Sequence, residues 1–290
     1  MLQVARLAPR LLGESTARVQ AFLGQQLQAD GGFPDRSGSS DLYYTVFGLE
    51  SLVAVSGDLP ADAIRAYLQR FGDGESLDFV HLACLARCWA TLPPPRLDRE
   101  AASALADRLE EYRSGDGGYH ARRQSPRGTA YHAFLALGAY QDLGLPIPDR
   151  DALRASVEAL VSPGGGFSND PEGRTGATPA TAAAVMVLRH LDGRLPDGLS
   201  AWLLAQCHAE GGFVAAPGAP MPDLLSTATA LHALSALQAP IEPVTERCLD
   251  FLDTLWTSRG AFYGTWADEQ PDCEYTYYGL LALGHLSLAR

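Results

Sequence analysis

The chain has 290 residues, of which 47% are hydrophobic, and its formal net charge is −12. A chain of this size and composition buries a large core. An acidic protein without basic runs is not suited to nucleic acid, whose binding depends on neutralising phosphates. All 22 basic residues are arginine, which excludes a lysine Schiff base and a phosphate-loop lysine, and suggests a bacterial genome rich in G and C.

The cysteines and the first residues bear on the compartment. The five cysteines form no C-x-x-C pair, which favours a reduced, cytoplasmic protein. The first segment, MLQVARLAPRLLGESTARVQAFL, lacks the continuous apolar stretch of a signal peptide. No stretch approaches the roughly 18 apolar residues of a membrane helix. We therefore expect a cytoplasmic protein without a membrane span.

A glycine turn followed by an apolar helix is the repeated element of the chain. It is first seen in GGFPDRSGSSDLYYTVFGLESL, residues 31–52. The turn returns at 117–119, 165–167, 211–213 and, as GAF, at 260–262. An apolar segment follows each turn, and a sixth, at 78–89, has lost its turn. These repeats predict six units in one domain spanning residues 1–290, with limits near 20–58, 59–95, 96–145, 146–195, 196–240 and 241–290.

A second set of segments alternates with the apolar ones. Their apolar residues recur at i, i+3, i+4 and i+7 with charges opposite, as in a helix with one wet face. They lie at 61–71, 98–112, 149–161, 198–207 and 244–256. The helices with the glycine turns are apolar nearly all round, which is typical of buried helices. We predict an all-α fold, an α/α toroid or barrel of six helical hairpins with inner buried and outer amphipathic helices, and no strands.

The turn, the D-x-x-x-[ST] motif after it and the apolar helix resemble the repeat of the prenyltransferase and squalene-oxidase family. The family includes β subunits of protein prenyltransferases and class II terpene cyclases. The nearest local resemblance, in PDCEYTYYGLLAL at 271–283, is to the β subunit of the Rab geranylgeranyltransferase. The resemblance implies a toroid with a central apolar cavity, an isoprenoid or other apolar ligand, and a helical partner subunit.

The resemblance also implies a zinc triad of Asp, Cys and His that activates a thiol. Asp272 matches the Asp, but Glu274 stands at the position of the Cys and Tyr44 at that of the His. In the alternative alignment Asp223 matches, and the other two positions hold Leu225 and Tyr275. The zinc triad is therefore not matched.

Several acidic residues begin the apolar helices. Asp41, Asp78, Asp223 and Asp272 can act as N-caps, which needs no further chemistry. Asp272 and Glu274 can instead hold a divalent cation, Mg or Zn, or act as an acid beside an ionised neighbour. We take Asp272, Glu274, Asp41 and His81 as the catalytic candidates, and we expect no organic cofactor. His81 is a candidate because it lies three residues after Asp78 at a helix start, although a satisfied rim histidine is the plainer interpretation.

Arginines and aromatic residues are the substrate-binding candidates. Arg36, Arg122, Arg123, Arg127 and Arg174 lie in loops that we expect near the mouth of the ring, where they can bind an anion or only face solvent. Tyr44, Tyr275, Tyr277 and Trp266 can line an isoprenoid cavity or only pack where the ring closes.

Three functions follow from these candidates. The first is a prenyltransferase-like protein that binds an isoprenoid diphosphate in the cavity and transfers the prenyl group. The second is a terpene cyclase-like enzyme that uses a carboxylic general acid, although the sequence has no DxDD motif. The third is a binding or scaffold toroid without catalysis.

Overall fold

The computed structural model describes residues 1–169 and 172–289. After the short helices α1 (Leu2–Ala5) and α2 (Pro9–Leu12) and a 3₁₀ turn (Gly13–Ser15), the chain forms six hairpins of an outer and an inner helix. In chain order they are α3 (Thr16–Gln26) with α4 (Leu42–Ala54), α5 (Ala61–Gln69) with α6 (Phe79–Thr91), α7 (Arg99–Glu110) with α8 (Ala130–Asp142), α9 (Arg150–Glu158) with α10 (Thr178–His190), α11 (Leu199–Leu204) with α12 (Leu224–Ala236), and α13 (Glu242–Leu255) with α14 (Cys273–Leu286).

The inner helices form a closed ring. Each packs on the next, from α4 through α6, α8, α10 and α12 to α14, and α14 packs on α4. The first helix, α1, packs on both α4 and α14. This arrangement confirms the predicted toroid of six helical hairpins, while the limits of the sequence repeats stay a prediction. Within the described residues, no helix is both long and apolar enough to cross a membrane.

The glycine turn lets a hairpin approach the outer helix of the next hairpin. Gly211 has φ +92°, and a Cβ there would lie 1.9 Å from the carbonyl oxygen of Arg247 on the next outer helix. Gly260 holds the same place at the closure, where a Cβ would lie 2.4 Å from the carbonyl oxygen of Arg18 on α3. Only glycine fits both the positive φ and the contact. The turns therefore join each hairpin to the next, including the last to the first.

The Thr of the D-x-x-x-[ST] motif ties the turn to the inner helix. The Thr45 hydroxyl accepts a hydrogen bond from the N–H of Phe33 at 3.0 Å and donates to the carbonyl of Asp41 at 2.6 Å. Thr227 makes the same bonds with Phe213 and Asp223. The aromatic residue of the turn is then fully buried, as Phe33 and Phe213 are, which contributes about 1.5–3 kcal/mol each.

Four two-residue strands flank two of the turns, against the prediction of no strands. β1 (Phe33–Pro34) pairs antiparallel with β2 (Ser40–Asp41), and β3 (Phe213–Val214) pairs with β4 (Pro222–Asp223). Sequence alternation cannot be recognised over two residues, so no pattern indicated them.

Candidate functional site

A cavity of about 270 Å³ lies inside the ring of inner helices. All six inner helices contribute to its wall, which is mainly apolar, as the resemblance implied. Its aromatic residues are Tyr43, Phe47, Tyr131, Phe134, Tyr277 and Tyr278. The rings of Phe47 and Tyr278 lie 5.4 Å apart across the closure between α4 and α14. Phe47 and Tyr278 thus line the cavity and also pack the closure.

The N-termini of the six inner helices surround the mouth of this cavity. Five of these helices are capped by a side chain, because Asp41, Asp78, Thr129, Asp223 and Asp272 each accept a hydrogen bond from the N–H three residues later. The sixth, α10, follows Ala177, and no side chain in the described part of the chain caps it. The four predicted aspartate caps therefore act as caps.

Asp272 binds Arg36 in addition to capping α14. Arg36 Nε donates to Asp272 Oδ2 at 2.9 Å, and its NH1 lies 3.6 Å from Asp268 Oδ1. The guanidinium also lies over the ring of Tyr275, 5.4 Å from its centroid. Burial raises the pKa of Asp272, although the hydrogen bonds from the Tyr275 N–H and from Arg36 lower it. The predicted anion-binding Arg36 is thus engaged by carboxylates of the last hairpin.

Glu274 lies in the first turn of the same helix, two residues after Asp272. Its Oε1 accepts a hydrogen bond of 2.6 Å from the hydroxyl of Tyr43, which lines the cavity. Burial, supported by the charge of Asp272, raises the pKa of Glu274 to about 7, although the Tyr43 hydrogen bond lowers it. At neutral pH this carboxyl is therefore divided between its protonated and ionised forms.

The residues at this helix start do not fit the zinc site of the resemblance. Asp272 already accepts hydrogen bonds from Arg36 and from the N–H of Tyr275, and Glu274 accepts one from Tyr43. Cys273 is buried, and burial raises the pKa of its thiol, which opposes the thiolate that zinc requires. Across residues 1–169 and 172–289, no three His, Cys, Asp or Glu side chains are grouped to hold a metal ion.

His81 bridges two of the aspartate caps. Its Nδ1 lies 2.8 Å from Asp78 Oδ1 and its Nε2 lies 3.1 Å from Asp41 Oδ2. The hydrogen bond to Asp41 raises the pKa of His81 to about 9, with a smaller contribution from Asp78 and against the effect of burial. His81 is therefore an imidazolium at neutral pH, and it links α6 to the start of α4.

The other predicted arginines lie in the loops before α8 and α10. Arg122, Arg123, Arg127 and Arg174 are exposed. Arg123 NH2 lies 2.8 Å from Glu111 Oε2, and its guanidinium stacks on Tyr112. Arg127 lies 3.7 Å from Glu172. We call the helix starts with Asp41, Asp78, Asp223, Asp272 and Glu274 the acidic rim, and the starts of α8 and α10 with the four arginines of their loops the basic rim.

The predicted aromatic residues take different places. Tyr277 lines the cavity, whereas Tyr44 and Tyr275 lie half-buried at the acidic rim. Trp266 is 40% exposed and donates from Nε1 to the hydroxyl of Thr254 on outer helix α13. The structure therefore does not bring Trp266 to the cavity.

Charged residues at the inner end of the cavity are the group that sequence reasoning missed. Arg87 Nε donates to Glu50 Oε1, and Arg87 NH1 lies 3.7 Å from Asp142 Oδ2. His232 lines the cavity with them. Burial raises the pKa of Asp142 to about 6, although Arg87 lowers it. A signal was present, since Glu50 and Arg87 interrupt otherwise apolar helices. We call Glu50, Arg87, Asp142 and His232 the cavity floor.

Comparisons with known proteins agree with this geometry. A family model described as the prenyltransferase alpha-alpha toroid domain matches residues 10–84, 78–219 and 180–288. The chain thus belongs to the prenyltransferase alpha-alpha toroid domain family. No curated protein sequence matches it.

Two solved structures share its fold at low sequence identity. One is the protein geranylgeranyltransferase-I of Candida albicans complexed with GGPP, at 14% identity and a TM-score of 0.69, covering 94% of this chain and 90% of that one. Another is a variant of the type II terpene cyclase MstE from Scytonema in complex with geranylgeranyl dihydroxybenzoate. Its identity is 14% and its TM-score 0.64, covering 97% of this chain and 98% of that one.

Proposed function

We propose that this protein is a prenyltransferase-like enzyme that binds an isoprenoid diphosphate, with the chain in the central cavity and the head group at the mouth. The observation that carries the proposal is the apolar cavity lined by all six inner helices, with Tyr43, Phe47, Tyr131 and Phe134 among its aromatic residues. Aromatic walls suit an isoprenoid chain and stabilise carbocations that develop on it. The two fold neighbours, named with GGPP and with a geranylgeranyl compound, support the same ligand class.

The basic rim is where we place the diphosphate. The N-cap positions of its helices hold Thr129 and Ala177, which carry no charge, and Arg127 and Arg174 lie two and three residues before them. Helix N-termini and guanidinium groups together favour phosphate oxygens. On the acidic rim, Arg36 and His81 are held by carboxylates at 2.8–3.1 Å, whereas Arg127 lies 3.7 Å from Glu172.

Calorimetric titration with geranyl, farnesyl and geranylgeranyl diphosphate tests this proposal, with and without Mg²⁺ or Zn²⁺. We expect micromolar binding that Arg127→Ala/Arg174→Ala weakens about tenfold or more, since charge-assisted hydrogen bonds contribute about 1.5–3 kcal/mol. The matched control is Arg150→Ala/Arg154→Ala on outer helix α9, which we expect to bind as the unchanged protein does. Absence of binding to all three diphosphates under every metal condition would refute the proposal.

Transfer of the prenyl group is the second step of the proposal. Helical partner proteins and small thiols are the acceptors to test, since the helical partner subunit remains a prediction from the resemblance. Cytoplasmic localisation likewise remains a prediction from composition. A prenylated acceptor detected by mass spectrometry is the expected result, and loss of diphosphate without it would indicate a different reaction.

Acid-catalysed cyclisation is a second candidate function, favoured by the carboxyl of Glu274. Its pKa of about 7, set first by burial, leaves a proton available at neutral pH beside Tyr43 in the cavity wall. Such a proton can be added to an alkene carbon while the neighbouring Asp272 keeps its partner Arg36. We expect a cyclised product that declines above pH about 7 and is lost in Glu274→Gln. A product of unchanged amount in that variant would eliminate this candidate.

A further inference from the structure

The cavity floor places polar groups at one depth within an apolar cavity. Glu50, Arg87 and His232 each stand nine residues after the N-cap of their helices, α4, α6 and α12. At about 1.5 Å per residue, they lie roughly 14 Å below the mouth. Asp142 stands one further turn down α8. A ligand that extends from the mouth along the cavity therefore meets polar groups at its far end.

Within the described residues, three buried polar atoms of the cavity wall have no hydrogen-bond partner. They are the hydroxyl of Tyr277, Nε2 of His232 and Oδ2 of Asp142, which forms an ion pair with Arg87 at 3.7 Å but no hydrogen bond, and all three residues line the cavity. Tyr277 is only 2% exposed, so its hydroxyl cannot turn to bulk solvent. A buried polar atom without a partner costs about 1–3 kcal/mol. A polar group that enters the cavity can therefore form hydrogen bonds with these atoms.

The floor charges define which chemical group fits. Arg87 is paired with Glu50, whose side chain is 3% exposed, while that of Arg87 stays 31% exposed where it lines the cavity. Asp142 adds a carboxylate beside this pair. A ligand carboxylate would meet Glu50 and Asp142. A ligand ammonium would meet Arg87 and the amino group of Met1, which also lines the cavity. A neutral hydroxyl avoids both conflicts, because it donates to Asp142 Oδ2 and accepts from Tyr277 or Arg87.

We infer that the cavity floor binds a hydroxyl group at the end of the isoprenoid chain remote from its head group. The inference rests on the proposed function and narrows its substrate class to ω-hydroxylated isoprenoids. A reaction that oxygenates the terminal methyl group of the chain must then supply the substrate.

The test compares farnesyl diphosphate with its derivative hydroxylated on a terminal methyl group, by calorimetric titration of the full chain. We expect the hydroxylated compound to bind about tenfold more tightly, because each satisfied hydrogen bond contributes about 0.5–1.5 kcal/mol. Tyr277→Phe and Asp142→Asn should each reduce that ratio to about threefold or less. Tyr263→Phe, which removes the hydroxyl of a half-buried tyrosine outside the cavity lining, is the matched control and should leave the ratio at about tenfold.

Each outcome separates this inference from the proposed function. Equal affinity for the two diphosphates would overturn the inference and show that water alone satisfies these atoms, while the proposed function would stand. If neither diphosphate binds, farnesol and its ω-hydroxylated form are compared next. A preference for the diol that Tyr277→Phe removes supports the floor site without the diphosphate, and equal or absent binding overturns it.

Discussion

His81 and His132 occupy the same position on neighbouring inner helices, three residues after the N-cap, yet their protonation is opposite. His81 on the acidic rim lies between Asp41 and Asp78, and the hydrogen bond to Asp41 raises its pKa to about 9. His132 on the basic rim contacts the hydroxyl of Thr129 at 2.7 Å, and burial lowers its pKa to about 4. One repeat therefore supplies a fixed cation and a neutral imidazole from equivalent sites.

The difference shows how the mouth is divided. On the acidic rim, carboxylates cap the helices and hold the nearby cations, so these charges stabilise the ring. On the basic rim, Thr129 and Ala177 stand at the positions of the aspartates. The arginines of its loops are exposed, and two of them, Arg123 and Arg127, lie close to Glu111 and Glu172. The helix starts share one geometry, which serves stability on the acidic rim and, as we propose, anion binding on the basic rim.

The largest effect should come from removing the buried carboxylate of the acidic rim. Asp272→Ala loses the cap of α14 and leaves Arg36 without its closest partner. We expect the free energy of unfolding to fall by about 2–4 kcal/mol, measured by urea denaturation.

Asp98→Ala is the matched control, because Asp98 caps outer helix α7 through the N–H of Ala101 and is exposed. Its loss should be about 1 kcal/mol. Equal losses in the two variants would show that Arg36 and burial add nothing to the cap.

A smaller effect should follow from converting the basic rim into an acidic one. Ala177→Asp provides the missing cap of α10, so the free energy of unfolding should rise by about 0.5–1 kcal/mol. The same charge should weaken farnesyl diphosphate binding about tenfold, since it repels the phosphates.

Ala177→Asn separates the two effects, because it can cap α10 without a charge. We expect it to gain stability and keep its affinity when both variants are measured by calorimetry and denaturation. Full affinity in the aspartate variant would place the head group elsewhere.

The smallest effect concerns pH and His81. A folded pKa of about 9, above the unfolded value of 6.5, means that the stabilisation is complete below pH about 6.5 and is lost as pH rises through about 9. Since these side chains are partly exposed, we expect about 1 kcal/mol or less. Melting temperatures of the protein and of His81→Gln should therefore converge between pH 7 and 10. A gap that is constant with pH would contradict this assignment.

Sequence reasoning predicted the ring and the aspartate caps because both depend on local patterns. The glycine turns, the Thr of each motif and the period of the helices are visible over a few residues. The binding partners were not predictable, since the contacts of Arg36 with Asp272 and of Tyr43 with Glu274 join residues more than 230 positions apart. Arg87 and Glu50 were overlooked for a related reason, because a charge in an apolar helix gives no indication of the charge that it meets on another helix.

The contact of the last glycine turn with α3 has a consequence for folding. Open helical arrays need polar end repeats to shield their terminal faces from solvent, whereas a ring in which Gly260 meets Arg18 has no terminal face. Neighbouring hairpins can form from nearby segments, but the closing contact must join the two ends of the chain, and such distant pairings are slow. Until that last contact forms, the aromatic residues of α4 and α14 stay exposed to water, so ring closure is the step at which this chain is most open to aggregation.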